Sequence, residues 1–458
     1  MSKLFIAASA LFFLSVAQAK PTEVLFNFDT EDFTSPVSAD GVLELARLFT
    51  EEGVTAHFVT VGYMARAFVQ RGRWDVIEAL RPHLRLNHTI SHSVHPNLLE
   101  ISDINDFNAA YDAVLAREAE SIGMVKAATG VDRIWGSVPP GNSDSYVAFY
   151  VYARLGLPFY CGAWFAEETS GEDVWFCNLR QIPYGLTWEE FIEKGAKYDP
   201  DDFLNRLAKT KRSIVYCHPN KVHAREFWDE LNFKGENRHK WGEWEISPQR
   251  SAEEVATYLG RIRELVRRIK SDPRFRITTL EEIDATRKPR RPLTRGDVPA
   301  IRAALNASFG PVREPGSWSL SDCFVAAVRL LRGESEYMPG MAYGFLEKPR
   351  GVALPVKVTR RDLEAAATAI DVSRFLPAAI RVGDVEIGPA DFLFAALATL
   401  ETGVDEVTVA PREQLGGFGP FPFMKKMCYA GTWLHSPEFK DNYLSDRMRW
   451  QIWTLRYE

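Results

Sequence analysis

Three acidic side chains, Asp29, Glu31 and Asp32, stand at the end of an apolar run, and about sixty residues later His88, His92 and His95 fall within eight positions in a chain with 9 histidines. Carboxylate oxygens mixed with imidazole nitrogens suit zinc or a similar first-row divalent metal, and three protein ligands leave a coordination position for water. A carboxylate not spent on the metal can then take a proton from that water, so the chemistry these residues could do is metal-dependent hydrolysis. The spacing of His88 and His92 brings two side chains to one face of a helical turn. His95 precedes Pro96, which would stop a helix, and its reach to the same ion is weaker. His218 ends the apolar run 213–217 and can protonate a leaving amine or alkoxide, provided it lies across the substrate from the base. Cys217 beside it is turned to the opposite face by strand alternation, which argues against a thiol nucleophile.

The elements that must position these groups follow from hydropathy. In an extended segment Val24, Phe26 and Phe28 share one face, so Leu25, Asn27 and Asp29 share the other, and Asp29 leaves the strand on its polar side. Strand-like runs at 23–29, 55–61, 83–87, 133–138, 158–162, 180–183, 213–217 and 274–278 alternate with helical patterns at 41–52, 73–80, 107–129, 145–155, 201–210 and 251–271. Such alternation predicts an α/β fold of parallel strands with crossover helices, in barrel form, with the site at the strand C-terminal ends. Asp29, His88, Pro139 and His218 all fall at such ends.

The chain of 458 residues is long enough for two domains, and 46% hydrophobic with 25% charged residues is globular composition. A net charge of -6 gives no reason to expect nucleic acid as a partner. Residues 1–19 carry Lys3, an apolar run from Leu4 to Val16 and the small-residue site Ala17-Gln18-Ala19, the pattern of a secretory signal peptide. A secreted or periplasmic protein, with no membrane span after signal removal, is expected. Residues 20–286 form the expected catalytic domain, 287–296 a basic Pro-rich linker, and 297–458 a mainly α-helical domain of unknown role. The segments 321–331 and 389–397 resemble each other faintly, and the tail is rich in Trp433, Tyr443, Trp450, Trp453 and Tyr457, for which core packing is the reading. Five cysteines, an odd number, imply no dense disulfide framework; Cys161 with Cys177 is one conceivable bridge, and buried free thiols are the preferred reading.

The order of an acidic strand end, Asn87-His88-Thr89-Ile90-Ser91-His92, a Pro139-Pro140 turn, a strand-end His218 and the late Thr279-Leu280-Glu281-Glu282 resembles the polysaccharide deacetylase family of the NodB-homology type, over about 23–283. The resemblance implies a distorted (β/α) barrel that removes an N- or O-acetyl group from a carbohydrate with one divalent metal, zinc first, cobalt or nickel as alternatives. By that analogy Asp29 is the general base, His88, His92 and the next acidic residue are the metal ligands, and His218 is the general acid. The Pro139, Pro140, Gly141, Asn142 turn would face the substrate; Pro140 has no N–H, so Gly141 would donate to the oxyanion. Two departures stand out. The family's arginine before the Pro-Pro pair is Val138 here, with Arg133 a candidate substitute. The acidic element is Asp-Thr-Glu-Asp, which leaves Glu31 and Asp32 both open as the ligand. Alternatives to a deacetylase are a carbohydrate-binding relative with weakened turnover, and a hydrolase of another amide or ester.

Overall fold

The computed structural model describes residues 20–162, 173–193, 195–341, 343–416 and 434–458. The signal-like segment, Trp433 and Cys428 lie outside the described residues. Among the described residues, nine strands organise the first part: β1 (Thr22–Thr30), β2 (His57–Thr60), β3 (Leu84–Asn87), β4 (Gly136–Ser137), β5 (Phe159–Gly162), β6 (Val174–Phe176), β7 (Leu179–Thr187), β8 (Arg212–Cys217) and β9 (Phe275–Ile277). β1 lies between β2 and β8, with Asn27 opposite both His57 and Tyr216. The order β7-β5-β4-β3-β2-β1-β8 is parallel throughout, and β8 pairs back onto β7, so seven strands close a barrel. Closure needs a register shift between Tyr184 and Leu186; a Cβ on the intervening Gly185 would meet Ser213 Oγ at 1.9 Å. β6, which the sequence pattern did not reveal, is antiparallel to β7 outside the barrel.

Alternation along β1 sorts the core as the sequence indicates. Leu25 faces a lumen cluster with Val59, Leu86 and Ile214, plugged from below by Leu280 and Ile283. Phe26 and Phe28 face outward onto Phe49 of the helix Ser38–Glu51, with ring centroids 5.1 and 4.9 Å apart. Each such buried ring contributes roughly 1.5–3 kcal/mol through area removed from water. The helix Phe107–Thr129 appears where its periodicity placed it, started by the Asp106 carboxylate on two backbone N–H groups and ended by Gly130 at φ 70°.

Beyond 286 the chain is mainly helical, with Val298–Ala307, Leu320–Leu331, Arg360–Ala369 and Pro389–Thr402 as its long elements. These helices share one hydrophobic cluster with the barrel helices Phe107–Thr129 and Tyr146–Arg154. The two faintly similar segments pack on each other through Phe324 and Phe392, centroids 5.5 Å apart. Trp453 is a core residue whose indole N–H donates to Gln414 O at 3.0 Å. Arg456–Tyr457 adds an antiparallel strand to β6, which ties the end of the chain to the barrel sheet. Cys161, Cys177, Cys217 and Cys323 are free and buried, and no described helix is long and apolar enough to cross a membrane.

His57 at the start of β2 is fully buried, its Nδ1 on Phe26 O at 3.1 Å and its Nε2 accepting from the Leu280 backbone N–H at 3.1 Å. Burial lowers its pKa to about 4. Because the folded-state pKa lies below the unfolded value of roughly 6.5, the neutral ring's contribution is complete above that pH and is lost as pH falls toward 4. At 1.36 kcal/mol per pKa unit the full loss is about 3 kcal/mol. Denaturant unfolding at pH 7.5 and pH 4.5 is expected to show this drop, and a His57→Asn protein a smaller one; equal drops in both would contradict the assignment.

Candidate metal centre and cleft

β1 delivers Asp29 to the top of the lumen, and Glu31, the first residue beyond the strand, lines the same cavity. Glu31 Oε1 accepts from the indole N–H of Trp228 at 3.0 Å. Its other oxygen, Oε2, is buried at 3.4 Å from His88 Nε2 and 3.0 Å from His92 Nε2, without the alignment of a hydrogen bond to either. The three donor atoms lie within 4.8 Å of one another.

The far side of each ring fixes its tautomer. His88 Nδ1 is 2.9 Å from Val138 O, and a carbonyl can only accept, so Nδ1 carries the proton and Nε2 keeps its lone pair. His92 Nδ1 is 2.5 Å from Ser93 Oγ, whose hydroxyl donates to Asp229 Oδ2 at 3.0 Å. Rings held this way, with a carboxylate oxygen orphaned between two Nε2 lone pairs, are the donor set of a three-ligand metal site. The residues fit a divalent cation.

The histidine segment is not the helical turn that its spacing suggested. Thr89 and His92 sit at φ 63° and 52°, in the left-handed region that side chains rarely adopt. A buried network holds them there: Asn87 Nδ2 donates to Glu118 Oε2 at 2.7 Å, Ser121 Oγ bonds both Asn87 Oδ1 and Thr89 O, and Tyr152 donates to Glu118 at 2.8 Å. His95 is spent elsewhere, between Glu100 and Phe233 O.

Asp32 does not join the cluster. Its Oδ1 accepts from Thr34 N, Thr34 Oγ1 and Ser35 N, and its Oδ2 from Ser38 Oγ, so it organises the entry into the helix Ser38–Glu51. Of the two acids left open by sequence, Glu31 stands with the histidines because it keeps the pleat side of Asp29.

Asp29 is buried with both oxygens 2.5 Å from the Tyr184 hydroxyl, which donates to them. Burial raises its pKa, against the pull of His88 and His218. Arg133 does not stand in for an arginine at Val138: it bridges Asp284 at 2.8 Å and lies over Trp135. Tyr184 holds the base instead.

His218 donates its backbone N–H to Glu189 Oε1 at 2.6 Å and pairs through Nδ1 with the same carboxylate at 3.1 Å. Burial opposes its charge, but Glu189 and Glu31 raise its pKa to about 10, so it is cationic at neutral pH. Its Nε2 is 3.7 Å from Asp29 Oδ2. The acid and base candidates therefore flank one small space rather than opposite sides of a wide one. Against Glu31, burial is outweighed by His92 and His218, which hold its pKa well below the ordinary value. Asp229 is raised to about 6 by burial and by Glu31.

These groups open into a cleft of about 210 Å³ that Val138, Pro139, Gly141, Tyr216 and Phe227 also line. Gly141 is needed at φ 52°, and a Cβ there would meet Leu434 Cδ2 at 2.7 Å. Pro140 O accepts from Ser143 N at 3.0 Å and braces the turn; the Asn142 side chain lies outside the described residues. Sequence reasoning missed Tyr184, Glu189, Trp228, Ser93 and Asp229. Tyr184 alone had a signal, since it shares the lumen face of β7 with Ile182.

No protein-family model matches the chain, and no curated protein matches it in sequence. Among solved structures, a protein from Mycobacterium smegmatis described as a polysaccharide deacetylase is 15% identical, with a TM-score of 0.39, over 62% of this chain and 94% of that one. The CE4 domain of a xylanase from the hindgut metagenome of Trinervitermes trinervoides is 12% identical, with a TM-score of 0.32, over 58% and 93%. A CE4 family pseudoenzyme from Bacillus anthracis is 14% identical, with a TM-score of 0.28, over 44% and 56%. Scores this low carry no argument about activity, and the chemistry must be read from the side chains.

Metal content separates the two acids. After loading with zinc, Glu31→Ala and His88→Ala are expected to lose it on dialysis, whereas Asp32→Ala should retain it and unfold about 1–2 kcal/mol more easily through the loss of its buried hydrogen bonds. Elemental analysis beside thermal unfolding makes the measurement; zinc retained by Glu31→Ala would refute the triad.

Proposed function

We propose that the protein is a metal-dependent hydrolase that removes acetyl groups from a carbohydrate, of the polysaccharide deacetylase type, and that it acts after export. The observation that carries this reading is the convergence of Glu31 Oε2, His88 Nε2 and His92 Nε2 on one point, beside a carboxylate and an imidazolium that no ligand role consumes. Two nitrogen donors and one oxygen donor suit zinc, with cobalt or nickel as substitutes. A divalent metal bound there would polarise the acyl carbonyl and acidify a water.

The chain's own groups supply the rest. Asp29, with its pKa raised by burial, is a stronger base than a solvated aspartate, and the Tyr184 hydroxyl fixes the direction of its lone pairs. His218, charged through Glu189, holds a proton on the Nε2 that faces the same space and can deliver it to a leaving amine or alkoxide. Gly141 in the cleft wall is the backbone donor for the developing oxyanion. The apolar faces of Phe227 and Tyr216 narrow the cleft and limit water around the reacting carbonyl.

Acetate release from N- and O-acetylated oligosaccharides by zinc-loaded protein tests the reading. His218→Ala should lower kcat by roughly 10²–10⁴-fold, the range for a lost general acid, with metal content unchanged. Zinc-loaded wild type that binds acetylated oligosaccharides yet releases no acetate would replace this proposal with a carbohydrate-binding one.

A further inference from the structure

The turn 139–143 that carries Gly141 into the metal cleft has little of its own to hold it. It follows β4, a strand of two residues, and its internal bond runs from Ser143 N to Pro140 O at 3.0 Å. Gly141, at φ 52°, has the widest backbone freedom of any residue type, so such a turn keeps one shape when groups outside it fix that shape. Contacts of this kind come from 292 residues further along the chain, in the part beyond the barrel.

Leu434 and His435 belong to no helix or strand, yet they are only 4% and 2% exposed. Leu434 packs so closely on Gly141 that a Cβ added there would lie 2.7 Å from Leu434 Cδ2. His435 Nε2 is 3.3 Å from Ser143 Oγ. The direction of that contact follows by elimination. Asn97 Oδ1 accepts from Glu100 N, so the other end of this side chain is an amide nitrogen, which can only donate. It donates to Leu434 O at 2.8 Å and to His435 Nδ1 at 3.1 Å. His435 Nδ1 is therefore an acceptor, and the ring proton sits on Nε2, which donates it to Ser143 Oγ. Burial lowers the His435 pKa to about 4, which keeps the ring neutral at neutral pH.

The segment that carries Leu434 and His435 is anchored on the helix Leu98–Ser102 and its flanks, independently of the turn. Ser436 N donates to Glu100 Oε1 at 2.6 Å, and Asn442 N and Tyr443 N each donate to Asp103 at 2.9 Å. Glu100 Oε1 also accepts from His95 Nδ1 at 2.9 Å. One strap thus links the end of the histidine segment to the turn that lines the opposite wall of the cleft.

We propose that Leu434 and His435 are positioning residues of the hydrolytic site: by bracing Gly141 and Ser143 they hold the backbone donor for the oxyanion at the wall of the metal cleft. This role rests on the hydrolase reading of the cleft, and it gives the part of the chain beyond the barrel a share in that chemistry. An oxyanion forms in the transition state and not in the bound substrate, so a displaced donor costs turnover and leaves substrate affinity alone.

Acetate release, zinc content and backbone hydrogen exchange of the full chain make the test. His435→Ala should lower kcat by roughly 10–100-fold with KM and zinc content unchanged, as for a donor misplaced without being removed. His435→Gln, whose amide N–H can reach Ser143, should recover most of the rate. Ser143→Ala deletes the acceptor oxygen and carries the decision if His435→Ala fails to fold. The two losses should match, and the double variant should lose no more than either alone, since both break one contact. Exchange over 139–144 should quicken in His435→Ala while that over 84–90 stays slow. Active wild type with kcat unchanged in both single variants, or exchange over 139–144 unchanged, would overturn the strap. Zinc-loaded wild type that releases no acetate would instead overturn the hydrolase reading, with the brace itself still decided by the exchange result.

Discussion

The arrangement in the metal cleft is governed by one constraint, the cost of burying negative charge. Asp29, Glu31 and Asp229 are 4%, 3% and 3% exposed, each nearly inaccessible to water. An unpaired buried carboxylate costs several kcal/mol even after relaxation, so each must find positive charge or donated hydrogen bonds. Glu31 is met by His92, His88 and the Trp228 indole, Asp29 by Tyr184 and His218, and Asp229 by Ser93. A divalent cation at the convergence of Glu31, His88 and His92 would meet the same requirement more directly, because coordination would supply positive charge to a Glu31 oxygen that no hydrogen bond reaches. Metal affinity and the stability of this end of the barrel are thereby the same quantity viewed from two sides.

How the rings come to face Glu31 shows where sequence stops being informative. The residue types and their order were legible, because a strand end carrying acids and a histidine cluster are local patterns. The helical turn inferred from the four-residue spacing was not the means of convergence. Thr89 and His92 adopt left-handed backbone angles, and what stabilises those angles is Glu118, Ser121 and Tyr152, contributed by two helices that follow in the chain. Spacing alone cannot distinguish a helical turn from a strained loop held by distant partners, since the cost of the strain is offset elsewhere.

The barrel itself was more legible than its closure. Alternation of short apolar runs with amphipathic stretches fixed eight of the nine strand positions to within a few residues, since one face of every barrel strand must be apolar. β6 was missed because its three residues show no alternation of their own, and one of its two pairing partners is the far end of the chain. The register shift at Gly185 was equally hidden, although its cause is visible once Ser213 is seen against it.

Tyr184 is where these two lessons meet. The sequence lacks an arginine at position 138, where Val138 stands, and Arg133 is the cation on the same strand run. The structure uses a neutral donor from β7, two barrel positions from β1 by way of β8, which only ring closure brings to Asp29. The exchange has a chemical consequence. A guanidinium lowers a neighbouring carboxylate's pKa by charge, whereas a phenol does so only by hydrogen bonding, a weaker effect against full burial. Asp29 accordingly stays raised, and its compensation falls to His88 and His218. A base held this way is intrinsically stronger but depends on the charge of its neighbours, so the orientation of His218 by Glu189 matters to both ends of the proton transfer. Glu189 thereby acts on Asp29 without touching it, through the imidazolium 3.7 Å away.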